Sequence, residues 1–284
     1  MSAPETVAAA LNEALPYIRR FRGQTFVIKY GGSALAREEA LRSVLGNVLL
    51  LQLVGIRCVL VHGGGPEIDR WLERLGIEKK TLNGLRVTDD ATMEIVEMVL
   101  AGRTNKAVVS LVQQLGGRAV GLSGRDGNLF VAEPIAPELG RVGQIIRVHA
   151  DVVQNLIDGG LLPVICSIAV DGQGDALNVN ADSAAAALAA GLRAAKLIMI
   201  SDTNGVLANR EDPMSTIATL SAAEARAMIA EGRADRGMIP KLEAAVEALE
   251  DGVREVHLIG ATTPHALLIE VFTDHGVGTM VVRS

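Results

Sequence analysis

The sequence predicts a three-layer α/β/α sandwich with a central, mostly parallel sheet, preceded by an extra N-terminal helix. Short, nearly all-apolar runs alternate with segments of helical periodicity, which is typical of parallel strands covered by helices on both faces. Aromatic residues make up only 2% of the chain, which argues against an aromatic-rich all-β design. Several apolar runs end in glycine-rich turns, as strands do where open α/β sheets bind ligands.

The first element is an amphipathic helix over residues 4–20. Its apolar positions Val7, Leu11, Leu15 and Ile18 follow the 3.6-residue period. Pro16 should kink or interrupt this helix, because proline lacks the backbone N–H that the helix ladder needs. The helix precedes the first strand and is therefore an appendage to the sheet.

The alternation of strands and helices then runs to the C-terminus. The predicted strands are TFVIKY, RCVLVH, LLPVICSIAV, AKLIMISD, REVHLIG and GTMVV. The predicted helices cover residues 36–54, 66–75, 89–115, 221–231 and 238–251, with an Ala-rich helix after NVNAD and another after REVHLIG. Thr88 is a candidate cap for the helix at 89–115. Residues 118–150 carry short strand-like pieces with polar turns and predict hairpins at one edge of the sheet.

Bulk properties limit the function. The chain of 284 residues carries a formal charge of −6, which argues against a general nucleic-acid binder but not against a small anionic ligand. Cys58 and Cys166 lie in apolar runs and are expected to be buried thiols in a reducing compartment. The N-terminus lacks the pattern of a signal peptide and no apolar run could span a bilayer, so we expect a soluble, cytoplasmic protein.

Three glycine-rich turns follow predicted strands, in FVIKYGGSAL, VLVHGGGPEID and ISDTNGVL. Backbone N–H groups in such turns form anion sites, although any single one could be an ordinary bend. The first turn follows Lys29, a charge at the end of a buried run that is costly without a partner. No P-loop, GxGxxG fingerprint, GxSxG elbow or metal-ligand spacing is present, so His62 of the second turn is interpreted as structural or orienting rather than catalytic.

A second lysine and a polar cluster complete the unusual features. Asn178, Asn180 and Asp182 alternate in NVNAD before a helix, where they could equally be turn and cap residues. Lys241 follows Gly-Met-Ile-Pro at the start of a helix, where the macrodipole disfavours a cation. A lysine on a solvated helix face is the ordinary alternative.

Together these stretches resemble the acetylglutamate kinase branch of the amino-acid kinase family, from about Thr25 to the C-terminus. The motifs that carry the resemblance are FVIKYGGSAL, VLVHGGGPEID, NGLRVTDDATMEIVEMVLAGRTNKAVV, GLSGRDGNL, NVNADSAAAALA, ISDTNGVL and GMIPKLEAA. The resemblance implies a single kinase domain over residues 23–284, with an acceptor-binding and dimerising lobe at about 23–178 and an ATP-binding lobe at about 179–284. Arg236, where many relatives have a glycine, is a departure.

The implied activity is phosphorylation of the γ-carboxylate of N-acetyl-L-glutamate by MgATP, the second step of arginine synthesis. The resemblance assigns Lys29 and Lys241 to the transferring phosphoryl group and Asp182 to the orientation of both lysines. It assigns acceptor binding to Gly64, Gly65, Arg86 and Asn178, and nucleotide binding to Gly31, Gly32, Ser201, Asp202 and Gly205. It implies no metal ligand among the protein side chains, because Mg²⁺ is carried by the phosphates of ATP.

The chemistry of the acceptor agrees with these assignments. A glutamate-like carboxylate, with a reference pKa near ~4.3, is already ionised at pH 7 and needs no general base. Phosphoryl transfer then requires positioning and charge neutralisation. Asp182 is therefore better interpreted as an orienting group than as a base.

The resemblance also gives the N-terminal helix, residues 1–22, a role. Family members with this extension are arginine-inhibited hexamers, trimers of dimers whose helices interlace. By the same match His257, Glu270 and Gly276 would contribute to an L-arginine pocket. A buried strand histidine and a solvated glutamate are the alternatives. Whether a PII-type signalling protein is a further partner is left open.

Two other functions remain as alternatives. A kinase of the same family could act on glutamate, aspartate, carbamate or UMP, although Arg86 and NVNAD argue against these acceptors. A catalytically silent amino-acid-binding regulator could keep the fold and the arginine pocket, although such a protein would have no need of both lysines and Asp182.

Overall fold

The structure is a computed structural model that describes residues 3–31, 37–82, 84–209, 211–212, 214–235 and 237–284. The strands are β1 (Thr25–Tyr30), β2 (Arg57–His62), β3 (Thr81–Leu82), β4 (Leu85–Arg86), β5 (Ala119–Ser123), β6 (Phe130–Pro134), β7 (Gly143–Val148), β8 (Leu162–Cys166), β9 (Ile168–Val170), β10 (Ala176–Asn178), β11 (Lys196–Ser201), β12 (Thr219–Ser221), β13 (Glu255–Gly260) and β14 (Thr279–Val282).

The α-helices are α1 (Ala3–Phe21), α2 (Glu38–Leu53), α3 (Gly65–Arg74), α4 (Asp90–Glu97), α5 (Asn105–Gln114), α6 (Asp151–Asp158), α7 (Ala181–Gly191), α8 (Ala222–Ala230), α9 (Ile239–Glu250) and α10 (Ala266–Phe272). A π-helical turn, Met98–Thr104, joins α4 to α5. Short 3₁₀ turns lie at Asp126–Asn128 and Pro137–Leu139.

In the described part of the chain the main sheet has eight strands in the order β12-β14-β13-β11-β1-β2-β8-β5. Every neighbouring pair is parallel except β13 with β14. The central strand β1 pairs with β11 and β2, which places Lys29 opposite Met199 and Val61. The prediction of a mostly parallel central sheet is confirmed.

Side-chain alternation along β1 divides the core into two layers. Val27 packs among residues of α7 and α9 on one face. Phe26, Ile28 and Tyr30 pack among residues of α2, α5 and α10 on the other. Because successive strand residues point to opposite faces, Lys29 shares the face of Val27 and points toward α7. Helices therefore cover both faces, which confirms the three-layer architecture.

The hairpin predicted within residues 118–150 exists, but not at the edge of the main sheet. β6 and β7 pair antiparallel within a separate four-stranded sheet of order β10-β9-β6-β7. β5, from the same stretch, is instead the terminal parallel strand of the main sheet beside β8. The sequence identified the strands, while their assignment to different sheets depends on pairing partners far along the chain.

The N-terminal helix α1 runs unbroken through Pro16, so the expected interruption does not occur. The missing N–H of Pro16 costs little here, because most of α1 is exposed and water can bond the freed carbonyl group. The end of the helix is anchored: Phe21 is buried and stacks edge-on against Phe26, and the Tyr17 hydroxyl donates to Asp274. α1 is therefore attached to the region around α10.

The helix predicted at 89–115 begins with a different cap from the one expected, and the π-helical turn Met98–Thr104 interrupts it in the middle. Asp89, not Thr88, is the N-cap, and its carboxylate accepts a hydrogen bond from the Thr92 N–H at 2.8 Å. A carboxylate is also favoured there by the helix dipole. Thr88 instead donates to the Arg86 carbonyl at 2.9 Å.

Among the described residues, no helix is both long enough and apolar enough to cross a lipid bilayer. Both cysteines are buried free thiols, and burial raises the pKa of Cys166 to about 12.

Candidate active site

The structure brings together Lys29, Asp182 and Lys241. Lys29 Nζ lies 2.7 Å from Asp182 Oδ1, and Lys241 Nζ lies 3.4 Å from Asp182 Oδ2. Lys241 also donates to the Gly237 carbonyl at 3.2 Å. One carboxylate thus holds two ammonium groups that come from strand β1 and helix α9.

The burial of this triad sets its electrostatics. The side chains of Lys29 and Asp182 are each 6% exposed, and that of Lys241 is 17% exposed. Burial lowers the pKa of Lys29, although the Asp182 carboxylate opposes the shift. Burial acts to raise the pKa of Asp182, but the two ammonium groups outweigh it and hold this pKa below its usual value. Asp182 Oδ1 makes no well-directed hydrogen bond, so its contact with Lys29 is an ion pair.

Two residues of the triad, Asp182 and Lys241, lie in the first turns of helices. Asn180 is the N-cap of α7, where its side chain accepts from the N–H groups of Asp182 and Ser183 at 2.8 and 3.3 Å. Asp182 therefore stands at the positive end of the α7 dipole, which favours its ionised form. Lys241 stands in the first turn of α9, where the dipole disfavours a cation and the Asp182 carboxylate compensates.

The Gly63–Gly65 turn follows β2 and leads into α3. A Cβ atom on Gly64 would lie 2.6 Å from Leu100 Cδ2, so a larger residue would require either Leu100 or the turn to shift. A Cβ atom on Gly65 would meet nothing within 4 Å, which leaves that backbone open to a ligand.

Gly31, after β1, donates its N–H to Ile200 O at 2.9 Å, and a Cβ there would lie 3.7 Å from Lys29 Nζ.

Arg86 lies beside this turn. Its Nη2 donates to the Gly65 carbonyl at 3.3 Å and pairs with Asp69. Its Nη1 is buried and has no hydrogen-bond partner in the described structure, so a donor of this guanidinium remains available. Asn178 reaches the same region, because its Nδ2 donates to Thr88 Oγ1 at 3.1 Å.

The predicted nucleotide residues lie at the end of β11 and in the turn after it. Ser201 closes β11, and the negative charge of Asp202 acts on both Lys29 and Tyr30. Gly205 has φ +78°, and a Cβ there would lie 2.5 Å from Thr279 Oγ1, so this turn requires glycine. Gly32 and Arg236 lie outside the described residues.

The three residues predicted for an arginine pocket also meet, on strand β13 and around α10. His257 Nδ1 donates to Glu270 Oε1 at 2.7 Å, and its Nε2 lies 2.8 Å from Lys196 Nζ. Val277 N–H donates to Glu270 Oε2 at 2.8 Å, and a Cβ on Gly276 would come within 2.6 Å of the same oxygen. His257 and Glu270 are buried, whereas Gly276 is exposed.

Glu255 extends this group toward α1. Its carboxylate contacts Lys196, lies 3.4 Å from His257 Nε2 and lies 3.3 Å from Arg20 Nη2. The hydrogen bond to His257, together with Lys196, outweighs burial and lowers the pKa of Glu255 to about 2.

Two site residues escaped the sequence analysis. Asp69 pairs with Arg86 across a separation in sequence that no local pattern reveals. Asn105 is wholly buried at the start of α5. The sequence did contain a sign of its role, because an asparagine within the apolar stripe of a predicted helix is unusual. Across the part of the chain that the structure describes, no three His, Cys, Asp or Glu side chains gather as a metal site would require.

The chain is similar to known proteins over nearly its whole length. The model of the amino acid kinase family matches residues 24–260. The acetylglutamate kinase of Gloeobacter violaceus is 49% identical over 99% of this chain and 94% of its own length. That of Thermosynechococcus vestitus is 50% identical over 96% of this chain and 93% of its own length. These matches confirm the family resemblance.

Solved structures give the same fold. The N-acetylglutamate synthase from Neisseria gonorrhoeae, complexed with coenzyme A and N-acetyl-glutamate, matches 98% of this chain with TM-score 0.86 and 28% identity. The synthase complexed with coenzyme A and L-arginine matches with TM-score 0.83 and 27% identity. This chain spans 63% and 65% of those two synthase chains. A Giardia carbamate kinase, at 16% identity and TM-score 0.70, shares the fold alone.

The lowered pKa of Glu255 predicts an acid-dependent loss of stability. Its folded pKa of about 2 lies below the ordinary 4.5, so its stabilisation is present above pH ~4.5 and is lost as pH falls toward 2. With its side chain 24% exposed, we expect this contribution to be about 2 kcal/mol. Glu255→Gln should therefore flatten the fall of the unfolding free energy between pH 4.5 and 2, as measured by urea denaturation.

The control is Glu138→Gln, a substitution of an exposed glutamate, which should reproduce the wild-type curve. Parallel curves for Glu255→Gln and the wild type would contradict the assigned pKa.

Proposed function

Because this chain belongs to the amino acid kinase family, within the group whose curated members are named acetylglutamate kinase, we propose that it transfers the γ-phosphoryl group of ATP to the γ-carboxylate of N-acetyl-L-glutamate. The observation that carries the proposal is the convergence of Lys29 and Lys241 on Asp182, beside two glycine turns at the ends of parallel strands. The product would be N-acetyl-L-glutamyl 5-phosphate, an intermediate of arginine biosynthesis.

The transfer needs no proton movement. A γ-carboxylate oxygen bonds to the γ-phosphorus while the bond from that phosphorus to the bridging oxygen breaks, and the electron pair leaves with ADP. The two ammonium groups would neutralise charge that spreads over the phosphoryl oxygens. Asp182 would hold both cations in place without acting as a base, consistent with its lowered pKa. Mg²⁺ carried by the nucleotide would neutralise further phosphate charge.

The acceptor would lie along the Gly63–Gly65 turn. The free buried Nη1 of Arg86 suits the α-carboxylate of an amino acid, since a guanidinium binds carboxylates strongly. Asn178 would contact the acetamido group, and the N–H groups of Gly64 and Gly65 would contact the reacting end. Gly31, Gly32, Ser201, Asp202 and Gly205 would bind the nucleotide.

We further propose that L-arginine inhibits the enzyme at the group formed by His257, Glu270 and Gly276. Two contacts support a link to the N-terminal helix: Tyr17 with Asp274 and Arg20 with Glu255. The homohexamer would form through α1, whose Val7, Leu11 and Leu15 expose 61%, 66% and 41% of their surface in the single chain. An apolar stripe of this kind is typical of helix–helix association.

The acceptor is tested by measuring ADP release with N-acetyl-L-glutamate, glutamate, aspartate, carbamate and UMP. We expect turnover with N-acetyl-L-glutamate at a kcat/KM at least ~100-fold above the others, since rejecting an acceptor that leaves buried polar groups unpaired is strongly selective. Preference for another acceptor would replace the substrate assignment, and no turnover with any would favour the silent regulator.

The lysine roles are tested by Lys29→Ala and Lys241→Ala. Each should lower kcat by about 10²–10³-fold, the typical loss of one transition-state donor, with a much smaller change in the KM for the acceptor. Lys80→Ala, which truncates an exposed lysine paired with Glu78, is the matched control and should keep wild-type kinetics. Near-wild-type kcat in both active-site variants would refute the assignment.

The N-terminal helix is tested by deletion of residues 1–22, which should abolish arginine inhibition and the hexamer and leave catalysis. Because that deletion also removes the buried Phe21, Leu11→Glu is the sharper variant: it charges the exposed stripe without touching the core. Sedimentation should show dimers, and arginine should no longer inhibit. A hexameric, arginine-sensitive Leu11→Glu enzyme would contradict this role of α1.

A further inference from the structure

Directly behind the Gly63–Gly65 turn lie two wholly buried polar residues that the mechanism above does not use. His62 ends β2, and Asn105 begins α5. Both are 0% exposed, and Asn105 Nδ2 lies 3.1 Å from His62 Nε2. Burying two polar side chains is unfavourable unless their hydrogen bonds are made, so what they bond matters.

Asn105 connects three adjacent parallel strands, β2, β8 and β5. Its Nδ2 donates to Val164 O of β8 at 2.9 Å, lies 3.3 Å from Leu122 O of β5, and reaches His62 of β2. The space for this amide is provided by Gly121, where a Cβ atom would lie 1.9 Å from Asn105 Oδ1. The end of β2, which carries the acceptor turn, is therefore tied to β8 and β5 at one point.

These contacts fix the protonation state of His62. Two carbonyl oxygens face Asn105 Nδ2 and Lys106 donates to its Oδ1, so Nδ2 is the amide donor. Its two hydrogens are shared among three contacts, and His62 Nε2 faces this donor as an acceptor. His62 Nδ1 faces the Gly63 carbonyl at 2.9 Å, so Nδ1 must carry the proton. Burial, with help from the nearby Lys106 cation, lowers the pKa of His62 to about 4. The imidazole is thus a neutral Nδ1–H tautomer.

The hydrogen bond to Gly63 has a consequence for Gly64. In a trans peptide the C=O of one residue and the N–H of the next point in opposite directions within one plane. Holding the Gly63 carbonyl toward His62 Nδ1 therefore directs the Gly64 N–H to the opposite side of the peptide plane. On the other side the π-helical turn supports Gly64, with Leu100 Cδ2 at 2.6 Å and Thr104 Oγ1 at 3.6 Å from the position of a Cβ.

We propose that Asn105, acting through the neutral imidazole of His62, is a positioning residue that aims the Gly64 N–H at the reacting carboxylate and the phosphoryl group. This inference rests on the proposed function for the identity of those groups. It assigns His62 the role of a hydrogen-bond relay from the helix to the peptide plane.

The kinetic test compares two replacements of His62. Asparagine places its amide nitrogen where Nδ1 stands and can still donate to the Gly63 carbonyl, whereas glutamine reaches toward Asn105 and loses that donation. We expect His62→Asn to keep kcat within about 5-fold of the wild type and His62→Gln to lose about 30-fold or more, approaching the loss of one oxyanion donor. The KM for ATP should stay within about 2-fold in both. Equal kcat values, or a higher kcat for His62→Gln, would overturn the proposal.

Asn105→Leu removes the donor to His62 at similar size, and Val108→Ala is its control, since Val108 is buried on the same helix without joining the network. At a temperature well below both melting points, Asn105→Leu should lower kcat about 10-fold or more, whereas Val108→Ala should keep wild-type kcat. Equal kcat values for the two would show that Asn105 acts through stability alone and would overturn the proposal.

A measurement without substrate separates this inference from the proposed function. Nitrogen-15 NMR of the histidine rings should show His62, assigned by the signal lost in His62→Asn, as a neutral Nδ1–H tautomer that does not titrate from pH 8 to pH 5. An Nε2–H tautomer, or a titration in that range, would overturn the relay even in an active kinase. An enzyme inactive on N-acetyl-L-glutamate with the expected spectrum would instead disprove only the substrate.

Discussion

The site depends on one buried negative charge. Asp182 is almost fully buried, and its carboxylate is stable there because Lys29 and Lys241 approach its two oxygens. Each cation is in turn costly to bury without it, so the three groups are mutually required. Breaking a buried pair by removing one partner typically costs about 3–5 kcal/mol, which makes this triad a structural constraint as well as a catalytic arrangement.

The topology of the sheet makes this convergence achievable. β1, β2 and β11 are adjacent and parallel, so their C-terminal ends lie at the same edge although they are far apart in sequence. The lysine of β1, the glycine turn after β2 and the turn after β11 are therefore neighbours. The helices contribute the remaining charges through their first turns, Asp182 from α7 and Lys241 from α9.

Much of this could be predicted from the sequence, and the failures have two causes, one local and one long-range. Lys29 was recognisable because a charge inside an apolar strand is rare, and the glycine turns because each follows such a strand. Pro16 was misjudged because an exposed helix tolerates the lost hydrogen bond, and Thr88 because its neighbour Asp89 competes better for the cap. The sheet membership of β6, the pairing of Asp69 with Arg86 and the contacts of Asn105 were not predictable, because each depends on partners distant in the chain.

Glycine ordinarily has the largest backbone entropy of any residue, so a glycine-rich turn is expected to sample many conformations. At Gly63 and Gly64 that freedom is reduced. Leu100 Cδ2 would lie 2.6 Å from a Cβ on Gly64, the methyl group of Ala181 would lie 3.2 Å from a Cβ on Gly63, and His62 donates to the Gly63 carbonyl. The ordering of the turn is therefore completed once, when the chain folds, and need not be repeated with each ligand that binds. A glycine turn, which lets a ligand come close to the backbone, is in this protein also pre-organised for binding.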